Sequence, residues 1–283
     1  MNDQIESLLV KPTNGASTGE VLCVTQARAG WDSISLRVIR LAGGETHAVS
    51  LPEEELALVM LAGRARVAAG KDLWDDLGGR ASVFSGMPHA LYLPIGLDRV
   101  EIEALGEPCE VAVCGARAGH AFPARLIEPG DVEIEVRGGG NATRQINHIL
   151  KPEFPADRIL VVEVYTPAGN WSSYPPHKHD EHNPPGEVDL DEIYFYKISP
   201  PEGFAIQRVY NKRGRDETIT VRDNEAVLVP DGYHPVVAAH GYDCYYLNVL
   251  AGSARSMAAS DDPELAWVRG KWRDKDPRVP VVR

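Results

Sequence analysis

Glycine and proline interrupt this sequence so often that only short elements fit between them, and this feature constrains its fold most. The chain carries 26 glycines and 21 prolines, many of them placed between short apolar runs, as turns require. No convincing long amphipathic helix interrupts the runs. We therefore predict an all-β protein of hairpins. The predicted strands are 33–41, 56–62, 65–69, 90–93, 100–104, 111–115, 159–165, 192–198, 205–210, 217–221, 226–229, 235–239 and 242–249.

The two halves of the chain repeat one order of features, which favours a duplicated barrel. Each half has an apolar strand, a glycine turn and a late corner of the type x-Pro-x-Gly, at 93–96 and 229–232. The glycine run 138–140 and the polar stretch after it indicate the joint. We expect residues 1–145 to form an N-terminal degenerate barrel without metal, and residues 146–283 a metal-binding barrel with a C-terminal tail. A short helix is predicted at 263–268.

The composition of the chain limits which binding partners and which cellular compartment we expect. The formal net charge of -12 would repel phosphate backbones and anionic substrates alike, so nucleic acid is not an expected partner and an anionic substrate needs a local cation. Four scattered cysteines, Cys23, Cys109, Cys114 and Cys244, do not make a disulfide scaffold. Residues 1–7 do not resemble a secretory leader, and no apolar run is long enough for a bilayer. We expect a cytoplasmic protein that does not bind membranes.

The strongest chemical signal is the segment 174–180, which contains His177 and His179. Residues two apart on a strand project from the same face, so both imidazoles can reach one point. Glu192 heads an apolar strand downstream, and His234 follows a Pro-x-Gly corner that can aim it inward. Three imidazoles and a carboxylate suit a borderline divalent ion. The sequence therefore predicts a metal site made by these four residues, with one divalent ion bound. We expect zinc, with manganese or iron as alternatives.

These residues resemble the two motifs of the metal-dependent cupin superfamily: His-x-His followed by Glu, and Pro-x-Gly followed by His. The resemblance implies a fold of two cupin barrels, a bicupin. The sequence departs from the motifs in three ways. Twelve residues separate His179 from Glu192, which makes Glu187 a rival ligand; Asn224 stands where a glycine is usual; and His234 comes one residue early.

A narrower resemblance covers nearly the full length and is most specific in the second half. The segments 171–181, 207–210, 216–218, 229–235 and 245–252 look like the 5-deoxy-glucuronate isomerase family of myo-inositol catabolism, and 82–89 and 276–280 match weakly. The resemblance implies an aldose-ketose isomerase that converts 5-deoxy-D-glucuronate to 5-dehydro-2-deoxy-D-gluconate through a metal-stabilised enediolate. Alternatives are a 5-keto-4-deoxyuronate isomerase, a cupin dioxygenase and a non-catalytic sugar-binding cupin. A homo-oligomer acting on a small uronic acid is expected.

The roles of the remaining site residues stay open in the sequence. The candidates for the general acid or base are Glu192 itself, Tyr194 and Tyr196 on its face of the strand, and Glu217 on a neighbouring strand. For the substrate carboxylate we expect Arg208, because a guanidinium grips a carboxylate with two parallel hydrogen bonds.

Strand parity lets only one of Arg208 and its neighbour Gln207 line the pocket. In the first half, His47 and His89 lack a His-x-His partner and are interpreted as polar barrel or loop residues, and the acidic run 53–55 is interpreted as a solvated loop.

Overall fold

The computed structural model describes residues 7–13 and 17–283. Within them, strands dominate, and the predicted all-β class is confirmed. The helices are α1 (Gln26–Ala29) and 3-10 turns at Val83–Ser85, Pro129–Asp131, Gly140–Ala142 and Ala266–Lys271. No helix in the described part combines the length and apolarity needed to cross a membrane. Residues 1–6, on which the prediction about a leader rests, lie outside the described residues.

The first half forms two antiparallel sheets, and the core lies between them. The strands of this half are β1 (Leu9–Val10), β2 (Gly19–Val24), β3 (Ile34–Leu41), β4 (Thr46–Val49), β5 (Glu54–Ala62), β6 (Arg64–Ala69), β7 (Asp72–Gly78), β8 (Ala90–Leu93), β9 (Val100–Ala104), β10 (Cys109–Arg117) and β11 (Arg125–Ile127). One sheet has six strands in the order β11-β8-β5-β10-β3-β2, and the other has four in the order β4-β9-β6-β7. Strand β1 belongs to neither of these two sheets. Fully buried Leu58 of one sheet and Val67 of the other share this core.

The second half repeats this arrangement. Its strands are β12 (Glu133–Arg137), β13 (Arg144–Leu150), β14 (Leu160–Thr166), β15 (Trp171–Ser172), β16 (His177–Lys178), β17 (Leu190–Ser199), β18 (Phe204–Tyr210), β19 (Asp216–Arg222), β20 (Ala226–Val229), β21 (Val236–Ala238), β22 (Asp243–Gly252) and β23 (Ser260–Asp261). A seven-stranded sheet has the order β1-β20-β17-β22-β14-β13-β12, a four-stranded sheet the order β15-β21-β18-β19, and β16 pairs with β23. The order β20-β17-β22-β14-β13 corresponds to β8-β5-β10-β3-β2 of the first half.

The glycine run does not separate two sheets, because the strands on either side of it pair with each other. β12 and β13 are antiparallel neighbours, with Glu133 opposite His148 and Arg137 opposite Arg144. The division of the chain at residue 145 stays a prediction. The predicted helix at 263–268 is wrong in type and position, since a 3-10 turn begins at Ala266 instead.

The prediction that the acidic run 53–55 is a solvated loop is also wrong, because two of its three carboxylates are buried. Glu55 is fully buried and accepts hydrogen bonds from the Tyr92 hydroxyl at 2.7 Å and from the backbone N–H groups of Asp157, Arg158 and Ile159. Glu54 accepts a hydrogen bond from the Ser35 hydroxyl. A buried carboxylate is tolerated where donors satisfy it, and here the three backbone donors of Glu55 belong to a loop of the second half.

A buried ion pair also joins the two halves. Arg80 donates to both carboxylate oxygens of Glu163 on β14, at 2.5 and 3.3 Å, and both side chains are almost fully buried. The hydroxyls of Tyr165 and Tyr245 donate to the same carboxylate, at 3.2 and 2.9 Å. The carboxylate is therefore held by donors from both halves, which fixes how the second-half sheet lies against the first.

Candidate metal centre

Three side chains from separate parts of the second half meet inside it. His179 follows β16, Glu192 lies in β17 and His234 precedes β21. One ligand atom of each lies within 4.8 Å of those of the other two, and all three residues are buried. β17 is held between β20 and β22, with Glu192 opposite Val229 on one side and Leu250 on the other. The predicted convergence of these three side chains therefore occurs in the structure.

The corner before His234 depends on a glycine. Gly232 has a φ of +86°, and a Cβ built there would lie 2.5 Å from the carbonyl oxygen of Tyr210. A left-handed conformation in such close contact with backbone strongly favours glycine. This turn brings the imidazole of His234 back toward β17, as the Pro-x-Gly pattern predicts.

Hydrogen bonds on the outer atoms set the orientation of each ligand. Nδ1 of His179 donates to the carbonyl oxygen of Leu190 at 3.0 Å, and Nδ1 of His234 donates to that of Gly232 at 2.8 Å. The Asn248 amide donates to Oε1 of Glu192. Both Nε2 atoms are left facing Oε2 of Glu192, at 2.9 Å for His179 and 3.3 Å for His234. Such outer partners fix the tautomer and direct the inner nitrogen in metal sites.

The electrostatics of the group call for a cation. Burial favours a neutral His179, but the hydrogen bond and charge of Glu192 outweigh it and raise the pKa of His179 above its usual value. Burial lowers the pKa of His234 to about 4, and its Nε2 has no hydrogen-bond partner among the described residues. Two imidazole nitrogens and a carboxylate oxygen therefore converge where either a proton or a metal ion must supply positive charge. These donors suit a borderline divalent ion.

His177 lies beside this group but is not one of the three. Its ring centroid is 4.9 Å from that of His234 and 6.3 Å from that of His179. Burial, together with the positive charges that His234, His179 and Arg144 can carry, holds the pKa of His177 well below its usual value, so it is neutral and able to ligate. The rival ligand Glu187 is engaged elsewhere, since its carboxylate accepts from Lys178 at 2.8 Å.

The first-half histidines form no comparable group. Nδ1 of His89 lies 2.9 Å from the backbone nitrogen and 3.0 Å from the carbonyl oxygen of Gly78. Within residues 7–13 and 17–283, the three residues of the second half are the one cluster of histidine, cysteine and acidic side chains with metal-binding spacing.

Two adjoining cavities open beside the group. The larger has a volume of about 270 Å³ and the smaller one about 60 Å³; Glu192, His177, Arg137, Arg144 and Met257 line both. The larger is also bordered by His179, Leu190, Leu250, Ala259, Asp261 and Arg269. Polar groups of Ser173, Tyr194, Tyr246 and Asn248 line the smaller one. A small polar molecule entering here meets both the cluster and guanidinium groups.

The structure separates the acid and base candidates. Tyr194 lines the smaller cavity with Glu192. Tyr196 is buried and donates its hydroxyl to Oε1 of Gln207 at 2.9 Å, and it does not line either cavity. Glu217 is exposed on β19 and pairs with Arg215 at 3.2 Å, so it lies outside the site. Burial raises the pKa of Tyr194 well above its usual value, which keeps its hydroxyl protonated.

The position of Arg208 corrects its predicted role. Its guanidinium is exposed on the outer face of β18, where it binds both carboxylate oxygens of Asp216 at 2.7 and 2.8 Å and lies 4.1 Å from the ring of Tyr210. Gln207, its neighbour, is the inward residue, as strand parity requires, but it accepts from the Tyr196 hydroxyl and lines neither cavity, so its predicted substrate-binding role is also wrong. The guanidinium groups at the cavity are instead Arg137, Arg144 and Arg269.

Sequence reasoning missed these three arginines. Arg137 and Arg144 lie on β12 and β13, the region interpreted as a joint. The available signal is the alternation of Arg144, Ile146 and His148, which all line the smaller cavity.

A family model described as the KduI/IolB family matches residues 8–268. The 5-deoxy-glucuronate isomerase of Geobacillus kaustophilus is 45% identical over 265 residues, covering 93% of this chain and 95% of that protein. The protein of the same name from Listeria monocytogenes is 40% identical over 267 residues, with 92% and 97% covered. In all these comparisons the similarity extends over nearly the whole chain.

Solved structures agree with the architecture. The crystal structure of an IolB-like protein from Salmonella typhimurium superposes with a TM-score of 0.89 at 38% identity, covering 93% of this chain and 99% of that one. The oxalate decarboxylase of Lactobacillus farciminis gives a TM-score of 0.64 at 14% identity, with 89% and 88% covered. The second likeness concerns the fold alone. The expected all-β bicupin fold is thereby confirmed.

Proposed function

Because this chain belongs to the KduI/IolB family, we propose that it is an aldose-ketose isomerase acting on 5-deoxy-D-glucuronate, with 5-dehydro-2-deoxy-D-gluconate as the product. The observation that carries the proposal is the buried group of His179, Glu192 and His234 at a cavity lined by guanidinium groups, in a chain whose relatives bear that isomerase name. The reaction moves a proton between neighbouring carbons while a hydroxyl and a carbonyl exchange places.

We propose that His177, His179, Glu192 and His234 hold one divalent ion, zinc first among the candidates. The support is the convergence of three of these donors and the Nε2 of His234, which faces Glu192 but has no hydrogen-bond partner among the described residues. When bound, such an ion supplies the positive charge that stabilises negative charge developing on the two reacting oxygens.

The protein side chains have separate tasks in the reaction. Asn248 holds Oε1 of Glu192 and so keeps the carboxylate directed at the two imidazoles. The Tyr194 hydroxyl, protonated because its pKa is raised, can donate a hydrogen bond to a developing oxyanion. Glu192 and Tyr194 are the two acid and base candidates that line the cavity. Leu190, Leu250 and Met257 form the apolar part of the cavity wall.

The test is turnover by the metal-loaded protein. 5-Deoxy-D-glucuronate is incubated with the protein in deuterated water, and NMR follows the ketose product, the deuterium on its new hydroxymethyl carbon, and the deuterium exchanged into C2 of the remaining aldose. We expect the ketose to form and metal removal to abolish its formation. A metal-loaded protein that binds the sugar but forms no product would overturn the isomerase proposal and favour a sugar-binding cupin. Oxygen consumption would favour a dioxygenase, and conversion of 5-keto-4-deoxyuronate alone would favour the pectin-pathway isomerase.

The compartment and the assembly remain predictions. The four cysteines are unpaired and three of them are buried, as a reducing cytoplasm would require. We propose a cytoplasmic homo-oligomer without nucleic-acid or membrane partners.

A further inference from the structure

Three guanidinium groups line the larger cavity, and two of them are already neutralised. Arg137 binds both carboxylate oxygens of Glu135, at 2.6 and 2.7 Å. Arg269 binds both oxygens of Asp261, one of them at 2.7 Å, and its guanidinium carbon lies 5.0 Å from the ring of Trp272. Both guanidinium groups are therefore already paired with carboxylates of the protein. The third arginine, Arg144, is different.

Arg144 is a buried cation without a counterion. Its exposed fraction is 5%, and among the described residues Nη1 of its guanidinium has no hydrogen-bond partner and no carboxylate lies within ion-pair distance of it. Burial lowers its pKa to about 10, and the nearby charge of Arg137 acts in the same direction. Burying an unpaired charge costs stability, so a chain that keeps one at a cavity wall points to an anionic ligand that completes it.

The surroundings of Arg144 place that anion next to the candidate metal centre. Arg144 lines both cavities together with Glu192 and His177, and its charge helps to depress the pKa of His177. The cavity of about 270 Å³ is large enough for a single small sugar acid. With a net charge of -12 on the chain, an anion needs such a local cation in order to enter.

We propose that Arg144 is the residue that binds the carboxylate of the sugar acid substrate and so selects uronates over neutral sugars. The inference rests on the proposed function for the identity of the substrate. The planar guanidinium offers two parallel N–H donors that match a carboxylate. It is a substrate-binding role and leaves the metal ligands and the proton transfer to other residues.

The kinetic test compares Arg144→Met, Arg144→Lys and Arg208→Met with 5-deoxy-D-glucuronate. We expect Arg144→Met to raise KM about 100-fold or more with little change in kcat, since two charge-assisted hydrogen bonds present in the ground state are lost. Arg144→Lys should raise KM less, by about tenfold, because the positive charge remains but the two parallel N–H donors are lost. Arg208→Met, an exposed arginine on β18, should match the wild type. A fall in kcat with KM unchanged would overturn the assignment.

A binding test works without turnover. Metal-loaded wild type and variants are titrated calorimetrically with D-glucuronate and with D-glucose, which has a hydroxymethyl group in place of the carboxylate. We expect wild type to bind D-glucuronate at least about 100-fold more tightly than Arg144→Met does, and D-glucose to bind both proteins equally weakly. Equal binding of D-glucuronate to both, or no preference of wild type for D-glucuronate, would overturn the inference.

Two further readouts separate this role from a structural one. Metal content of Arg144→Met should equal that of wild type, and its melting temperature should be equal or higher, since an unpaired buried charge is removed. Loss of metal or a marked fall in melting temperature would show a structural role instead. If wild type fails to isomerise 5-deoxy-D-glucuronate, the proposed function fails while the D-glucuronate titration still decides the role of Arg144. If wild type isomerises it and Arg144→Met keeps its KM, only this inference fails.

Discussion

Nε2 of His179 lies 2.9 Å from Oε2 of Glu192, and the other polar atom of each side chain is already engaged, by the Leu190 carbonyl and the Asn248 amide. Neither side chain can turn away without breaking a buried hydrogen bond, which costs about 1–3 kcal/mol. The pair is therefore oriented before any ion arrives. Preorganisation of this kind lowers the cost of binding.

Loss of a metal ligand should empty the site and leave the fold intact. We expect His234→Ala to weaken metal binding by more than about 100-fold, because even residues that only orient ligands are worth about 10–100-fold. Activity should be lost with the metal, while circular dichroism stays unchanged because the core is apolar. Metal content by elemental analysis checks this, with His47→Ala in the first half as the control. Stoichiometric metal in any two of His177→Ala, His179→Ala and His234→Ala would refute the ligand assignment.

Removal of the amide behind Glu192 should weaken the site without deleting a ligand. Asn248→Ala leaves Oε1 of Glu192 without its donor, so metal affinity should fall about 10–100-fold. Titration with a competing chelator measures the change. Asn141→Ala, at an exposed position, is the matched control and should bind metal as wild type does. Equal affinities in the two variants would show that Glu192 is oriented by other contacts.

Metal affinity should fall at acid pH. The pKa of His179 is raised in the metal-free protein, so its proton must leave before Nε2 can ligate. Below that pKa the affinity should fall about tenfold per pH unit, and above it the affinity should level off. Calorimetric titrations between pH 5.5 and pH 8.5, about one pH unit apart, follow this change, and the proton release appears as a dependence on buffer ionisation heat. An affinity independent of pH over this range would contradict the shift in the pKa of His179.

The folded state should also lose stability at acid pH through His234. Its pKa is lowered to about 4 in the folded protein, below the value of about 6.5 expected in the unfolded chain. The unfolded chain therefore binds the proton first, and this contribution to stability is present above about pH 6.5 and is lost as the pH falls toward 4. Urea unfolding of metal-free wild type and of metal-free His234→Ala measures it. A pH slope equal in the two proteins would contradict the prediction.

The ion pair that joins the halves should show strong coupling. Glu163→Gln leaves Arg80 as an unpaired buried charge, which should cost about 3–5 kcal/mol of unfolding free energy. Replacing both residues, as in Arg80→Met with Glu163→Gln, should cost less than the two single losses added together. Urea unfolding of the four proteins measures the coupling. Additive losses would show that the pair contributes nothing beyond its separate contacts.

The amino-acid sequence by itself determined many of the strands and identified the three residues that converge, His179, Glu192 and His234. Alternating apolar runs ended by glycine or proline encode strands locally, so the predicted strands 90–93, 100–104 and 226–229 coincide with β8, β9 and β20. The spacing of His177 and His179 and the corner before His234 are likewise local patterns. The sequence did not predict β12 and β13, because polar residues occupy both faces of β13, including Gln145, Asn147 and Arg144. The residues of β13 therefore lack the alternating apolar pattern that predicts a strand.

Only the tertiary structure decided which charges are paired and where they lie. Arg208 and Arg144 are both arginines on strands, but Arg208 pairs with Asp216 in solvent, whereas Arg144 lines a cavity and has no counterion within residues 7–13 and 17–283. Glu55 similarly belongs to a run that the sequence predicts to be solvated, but in the structure it is buried by backbone donors more than 100 residues away. The physical reason is that the energy of a charge depends on its surroundings, and those surroundings come from distant strands.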